Sequence, residues 1–140
     1  MEKNKNFEIQ QQIVLAVTHA IRDTWERVVI NMEMEYDDEE KEPILDTACF
    51  YIKSTAEGDY EQVAHELDRE TELLFEAPND LSLDLNQERW GSCDLVIDCS
   101  GKYRFKFDFE KPKRLGGIFD EQSVYRFNNY LQHYKPGVLE

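Results

Sequence analysis

Apolar residues near the N-terminus recur at helical spacing. Phe7, Ile9, Ile13, Val14, Val17, Ala20 and Ile21 share one side of a helix over approximately residues 4 to 23. From Trp25 to Tyr36 the period falls to two. Val28, Ile30, Met32, Met34 and Tyr36 then share one face, and Arg27, Asn31, Glu33 and Glu35 share the other with Trp25 and Val29. That pattern predicts a strand with a polar outer side. The segment Tyr36 to Pro43 reads as an acidic turn. After it Ala48, Phe50 and Ile52 alternate with Cys49, Tyr51 and Lys53, so the two runs form an antiparallel hairpin.

Residues 60 to 67 read either as a strand or as the start of a helix, and a strand is the expectation. Leu73, Leu74, Ala77, Leu81 and Leu85 then favour a middle helix, bent or restarted around Pro78, because proline lacks an amide donor and is best tolerated in a first turn. Between Ser92 and Glu110 the signal is a second hairpin. Cys93, Leu95, Ile97 and Cys99 alternate inward, Ser100-Gly101-Lys102 turns, and Tyr103, Phe105, Phe107 and Phe109 alternate again. Asp94 and Asp98 are expected beside Arg104 and Lys106 on the solvent side. A last helix is expected to start at a capping Asp120, to carry Val124, Phe127, Leu131 and Tyr134, and to end at Pro136 and Gly137. The order of elements predicts a single α+β domain over residues 1–140: an antiparallel sheet of four to five strands with N-terminal, middle and C-terminal helices packed on it.

Composition adds one strong feature to this picture. Between Glu33 and Glu76 sixteen Asp and Glu face only Lys41, Lys53 and Arg69, so this stretch carries nearly all of the chain's net charge of −14. Beyond it the sign reverses, with six bases and two acids from Lys102 to Arg114. A focused field of one sign speeds encounter with an oppositely charged partner and opposes like-charged molecules. No run approaches the roughly 18 apolar residues of a membrane span, and Met1 to Gln12 lacks the pattern of a signal peptide. A cytoplasmic location without membrane attachment is the expectation. Three cysteines, Cys49, Cys93 and Cys99, fit no secreted disulfide framework and read as small buried hydrophobes.

Motifs for catalysis are sparse. His19, His65 and His133 stand in no metal-ligand spacing, Ser92 in no nucleophile elbow, and no glycine-rich phosphate loop occurs, so neither a cofactor nor an enzymatic role is expected. The acidic turn lacks the alternating ligands and central glycine of an EF-hand loop. The ladder Tyr103, Phe105, Phe107 and Phe109 lies on the face opposite Arg104 and Lys106, which suits a core better than a base-stacking platform. The net negative charge also opposes phosphate, so direct nucleic-acid binding is not expected.

The run Glu88-Arg89-Trp90-Gly91-Ser92-Cys93-Asp94-Leu95-Val96-Ile97-Asp98, followed by Ser100-Gly101-Lys102-Tyr103-Arg104-Phe105-Lys106-Phe107-Asp108-Phe109-Glu110, resembles the C-terminal half of the YezG-like immunity family. There a Trp-led strand, a Gly-Lys-aromatic turn and an aromatic-Asp-aromatic-Glu strand precede a C-terminal helix. Pro112 to Glu121 and Tyr125 to Leu131 are similar to the version found beside polymorphic toxins of Gram-negative bacteria, and the likeness runs strongest from Trp90 to Tyr134. The resemblance implies a cytoplasmic immunity protein, or antitoxin, that binds a toxin domain delivered by neighbouring cells and blocks it. Toxins countered by this family are often nucleases, whose grooves are basic because they hold phosphate. The matching residues look structural, with Trp90, Phe105 and Phe107 in the core. Density of charge and expected exposure instead select Glu33, Glu35, Asp37, Asp38, Glu39 and Glu40, on the outer side and tip of the first hairpin, as the partner-binding residues. An acidic adaptor for another basic protein, and a small enzyme using carboxylates near Trp90 or in the acidic turn, stay open at this point, as does the oligomeric state.

Overall fold

The computed structural model of the protein describes residues 2–37, 42–120 and 127–139. In chain order the elements are α1 (Glu2–Ala20), β1 (Arg27–Glu35), β2 (Ile44–Ser54), β3 (Tyr60–Ala64), α2 (Arg69–Leu73), α3 (Glu76–Asn86), β4 (Ser92–Asp98), β5 (Tyr103–Asp108) and α4 (Tyr130–His133). The strands form a five-stranded antiparallel sheet in the order β3-β2-β1-β4-β5, so the α+β class holds. Both expected hairpins are present, with Glu35 opposite Ile44 in the first and Ile97 opposite Tyr103 in the second. In the second turn Gly101 takes φ +96°, a left-handed conformation that favours glycine, and its amide donates to the Asp98 carbonyl at 2.9 Å.

One face of the sheet meets the helices. Val28, Ile30, Met32 and Met34 of β1 and Cys93, Leu95 and Ile97 of β4 are buried against Ile13, Val14, Val17 and Ile21 of α1, with Phe75 and Trp90 closing the core from the middle segment. Burial of each large side chain here contributes about 1.5–3 kcal/mol. Phe7, placed on the apolar side by its spacing, is 58% exposed beyond the sheet. The middle helix restarts as expected. Asp68 caps α2 by accepting from the Thr71 amide at 2.7 Å, and Pro78 sits in the first turn of α3, where its missing donor costs nothing. Asn79, fully buried, donates to the Trp90 carbonyl at 2.9 Å, and Ser82 donates to the Glu88 carbonyl at 2.8 Å; these bonds fix how the chain leaves α3 for β4.

The opposite face corrects the sequence reading. Arg27, Val29, Asn31 and Glu33 of β1 are buried, not solvent-facing: C-terminal residues from Phe127 to Lys135 pack on Arg27 and Val29, and Arg114 and Leu115 bond Asn31 and Glu33. Phe127 and Tyr130 meet Phe50 edge-on, with centroids 5.3 and 5.2 Å away, and Tyr134 meets Tyr60 at 5.0 Å. The buried Arg27 guanidinium donates to the Asp98 carboxylate and the Lys135 carbonyl, both at 3.3 Å, and lies 4.7 Å from the centre of the Tyr134 ring. Asp98 therefore pairs across the sheet with Arg27 instead of facing solvent beside Arg104. Asp94 lies opposite Lys106 in register while accepting from Asn31 Nδ2 at 2.7 Å. Of the expected C-terminal helix the described residues hold the single turn α4, preceded by Asn129, whose side chain makes no capping bond. Its expected start after Asp120, including Val124, falls on residues 121–126, outside the described residues; Asp120 itself accepts from Lys113 Nζ at 3.3 Å.

Burial of Tyr134 pushes its phenol up to about 12, and burial with the nearby Asp80 and Glu76 carboxylates does the same for Tyr36. The folded state thus holds these two protons more tightly than the unfolded chain, whose tyrosines titrate near 10. Their stabilisation is complete below about pH 10 and is lost as pH rises from there through 12. The expected result is a melting temperature that falls over that window, less steeply in Tyr36→Phe. An alkaline limb equally steep in the variant would show that Tyr36 takes no part.

Candidate partner-binding surface

The six acids expected to bind a partner do not behave alike. Glu33 is only 3% exposed: Leu115 donates its amide to Glu33 Oε1 at 3.0 Å, and Arg114 lies 3.4 Å from Oε2. Held beneath Arg114 and Leu115, it is removed from any binding surface. Glu35 and Asp37 are exposed as expected, and Asp38, Glu39 and Glu40 lie outside the described residues.

The base of the first hairpin's tip rests on the middle helices. Tyr36 donates its hydroxyl to Glu76 at 3.4 Å, and the Arg89 guanidinium stacks 3.9 Å from the Tyr36 ring centre while bonding Asp80 at 2.7 Å. Glu42 lies 3.9 Å from Arg69, an exposed pair of little energetic weight. Carboxylates scattered from Asp37 to Asp80 in the sequence are thereby brought toward one end of the sheet. Asp37, Glu42, Glu66, Glu70 and Asp80 stand exposed there, countered by Arg69 and Arg89. The helix acids escaped the sequence reading as site candidates because a charge on a surface helix carries no mark of which element it will adjoin.

Along β2 this acidic end continues into a groove of about 1030 Å³. Its floor and walls include Ala48, Phe50, Leu67, Phe127 and Leu131, and its carboxylates are Asp46, Glu61, Glu66 and Glu72. Among its described lining residues no lysine or arginine occurs, and His65 is the one titratable nitrogen. Glu72 accepts from the Thr47 hydroxyl at 2.6 Å, and Arg114 bonds Asp46 from the far side. Glu61 and Glu66 are the exposed acids of this lining. The groove offers carboxylates beside apolar surface, an arrangement suited to holding a cationic, partly apolar segment.

Other candidates from the sequence take structural places. Tyr103, Phe105 and Phe107 pack on the helix-covered core, with Phe107 5.7 Å from Trp90, while Arg104 and Lys106 point from the opposite face; Phe109, just beyond β5, is 40% exposed. His19 and His133 are exposed, and His65 stacks edge-on against Tyr51 at 6.1 Å. Among the described residues no group of three or more His, Cys, Asp or Glu is placed to hold a metal ion. The cysteines separate: Cys93 is buried, Cys49 is half-buried, and Cys99, expected inward, is exposed because β4 ends at Asp98 and the chain has begun its turn. Burial raises the Cys49 thiol to about 12 and Cys93 far above its usual range. Desolvation and the Glu26 carboxylate raise the Cys99 thiol too, but it alone of the three is exposed, so an aromatic disulfide reagent at pH 8 is expected to modify one thiol in the native protein and three after denaturation. Rapid native reaction of two or more would overturn this placement of Cys49 and Cys93.

No protein-family model and no curated protein matches the chain.

Proposed function

We propose that this chain is an immunity protein that binds a cognate toxin domain, a basic nuclease, and neutralises it through its acidic surface in the cytoplasm. The observation that carries this reading is the groove beside β2, in which carboxylates line an apolar floor with no lysine or arginine among its described residues. A nuclease must present cations to phosphate, so a surface of this chemistry can occupy the same cations with carboxylates. The chain's net charge of −14 adds long-range steering to that complementarity, and fast capture is what protection of a cell requires. The resemblance of Trp90 to Tyr134 to the YezG-like immunity family points the same way. Among the described residues no helix is long and apolar enough to cross a membrane. The role is one of binding and needs no chemistry from the chain itself.

The test is calorimetry and co-expression with the C-terminal domain of the protein encoded immediately upstream. Tight one-to-one binding and rescue of growth in a sensitive host are expected. The association rate should fall about tenfold or more between low and high salt, as for steered encounters. Two folded proteins that neither bind nor restore growth would remove the immunity reading for that pair and favour an adaptor for another basic protein.

A further inference from the structure

Strand β2 has eleven residues, but its outer neighbour β3 has five and pairs only with Phe50 to Ser54. After Ala64 the chain peels away: the His65 amide reaches the Cys49 carbonyl at 3.0 Å, Leu67 tucks into the core, and Asp68 caps α2. Among the described residues, β2 from Ile44 to Ala48 is paired with β1 alone. Main-chain groups alternate sides along a strand, so the outward Cys49 carbonyl places the amides and carbonyls of Leu45 and Thr47 on that same open side. Neither residue has a main-chain partner there among the described residues. This open length, about 17 Å for five residues, runs along the groove between the Leu67 side and the Phe127 to Leu131 side.

We infer that the open edge of β2 receives an extended basic segment of the partner as an added strand, an inference that rests on the reading of the acidic surface as a binding site for a basic protein. Main-chain bonds from Leu45 and Thr47 would supply affinity, as in other cases of strand addition. Alternate side chains of the incoming segment would meet the apolar floor at Ala48, Phe50 and Leu131 and the carboxylates of Glu61, Glu66 and Glu72. The occupant is therefore a run alternating aliphatic residues with lysine or arginine. At the other end of the sheet order β5 carries Arg104 and Lys106 along its own strand, the arrangement by which proteins discourage strand pairing. The β2 edge has no such guard: Ile44, Leu45, Asp46, Thr47 and Ala48 include one charge, and Arg114 holds it.

The experiment uses full-length protein and the acetylated, amidated peptide (Val-Lys)4, with (Val-Glu)4 as the charge control, and reads residue-specific amide exchange by NMR. In free protein the Leu45 and Thr47 amides should exchange freely; with saturating (Val-Lys)4 they should slow at least tenfold, and with (Val-Glu)4 they should not. Thr47→Pro removes an outward donor at a place where an edge strand tolerates proline, and should weaken peptide binding at least tenfold with the fold kept. Glu61→Gln with Glu66→Gln serves as a second variant that leaves the backbone alone and should weaken binding tenfold at low salt. The inference is overturned if these amides are already protected in dilute free protein, because the chain then covers its own edge. It is equally overturned if protection grows with the protein's own concentration, because a second copy is then the occupant. A toxin domain that binds and is neutralised while Leu45 and Thr47 keep their free exchange rates would also sink it and leave the proposed function standing. Protection by (Val-Lys)4 without any toxin complex would support the edge and remove the immunity role.

Discussion

Replacing Arg114 by alanine should destabilise the fold by about 3–5 kcal/mol, the range for removing one member of a buried ion pair. Its side chain is 7% exposed and reaches across the second face of the sheet: Nη1 donates to Asn31 Oδ1 at 2.6 Å, Nη2 to the Asp46 carbonyl at 3.0 Å, and Glu33 lies 3.4 Å away. Removing the guanidinium leaves the Glu33 carboxylate, 4% exposed, with the Leu115 amide as its described donor. Most of the cost comes from that stranded charge. Asp46 is half in water and can be resolvated. The double variant Arg114→Met with Glu33→Met should therefore lose less than Arg114→Met alone, since it removes the stranded charge together with its partner. Chemical denaturation checks both. A single substitution costing under about 1 kcal/mol, or a double costing the full sum, would show that the cluster is not the anchor of this face. Loosening it would also disturb Asp46, which lines the groove, so binding of the proposed partner should weaken alongside stability.

How much of this was legible beforehand follows from what alternation can and cannot say. Period two in β1 correctly separated Val28, Ile30, Met32 and Met34 from Arg27, Asn31 and Glu33, but it cannot tell whether the second face meets water or another layer. The polar residues suggested water; their partners Asp98, Asp94 and Arg114 lie 63 to 83 residues away and are chosen only by the tertiary fold. A signal was present. Val29, Ala48, Phe50 and Ile52 share that face, and aliphatic and aromatic residues on both faces of adjacent strands mark a sheet covered on both sides. The pairing and turn of the second hairpin were readable because local turn chemistry and alternation agree, although Asp98 is buried and Cys99 and Phe109 are exposed at its ends, and the restart at Pro78 was readable because proline acts locally. The groove was not. It exists because β3 stops at Ala64 instead of running to residue 67, and nothing in Ala64-His65-Glu66-Leu67 marks where a strand must leave its neighbour. Thus the acidity was plain in the sequence; of the six acids expected on the side and tip of the first hairpin Glu33 is buried and Asp38, Glu39 and Glu40 lie outside the described residues, while the middle helices and the β2 edge add exposed carboxylates that alternation does not mark.

A second large loss is expected from Gly91→Ala. Gly91 joins three pieces of backbone: its amide donates to the Asp108 carbonyl at 2.8 Å, and its own carbonyl accepts from the Met34 amide at 3.0 Å, so β1, β4 and β5 meet through it. A Cβ built there falls well inside contact distance of the Glu110 carbonyl oxygen and 3.1 Å from Pro112 Cδ. The obstacle is backbone that continues directly from β5 and is stiffened by proline, so it cannot swing aside as a side-chain tip can. Relief requires either β5 to shift from β4 or Trp90, 1% exposed on the core side, to leave its seat against Phe107. Overpacking of this kind costs about 3 kcal/mol or somewhat more, whereas Gly116→Ala, whose nearest contact is 3.3 Å, should cost under about 1 kcal/mol. Denaturant midpoints of the two variants, with the near-ultraviolet signal of Trp90 as a local probe, decide the matter. Equal small losses would mean that the β4–β5 junction yields more easily than its geometry indicates. A large loss confined to Gly91 would give a physical reason for the Trp-Gly pair that begins this hairpin: the indole fills the core, and the glycine lets three strands close behind it.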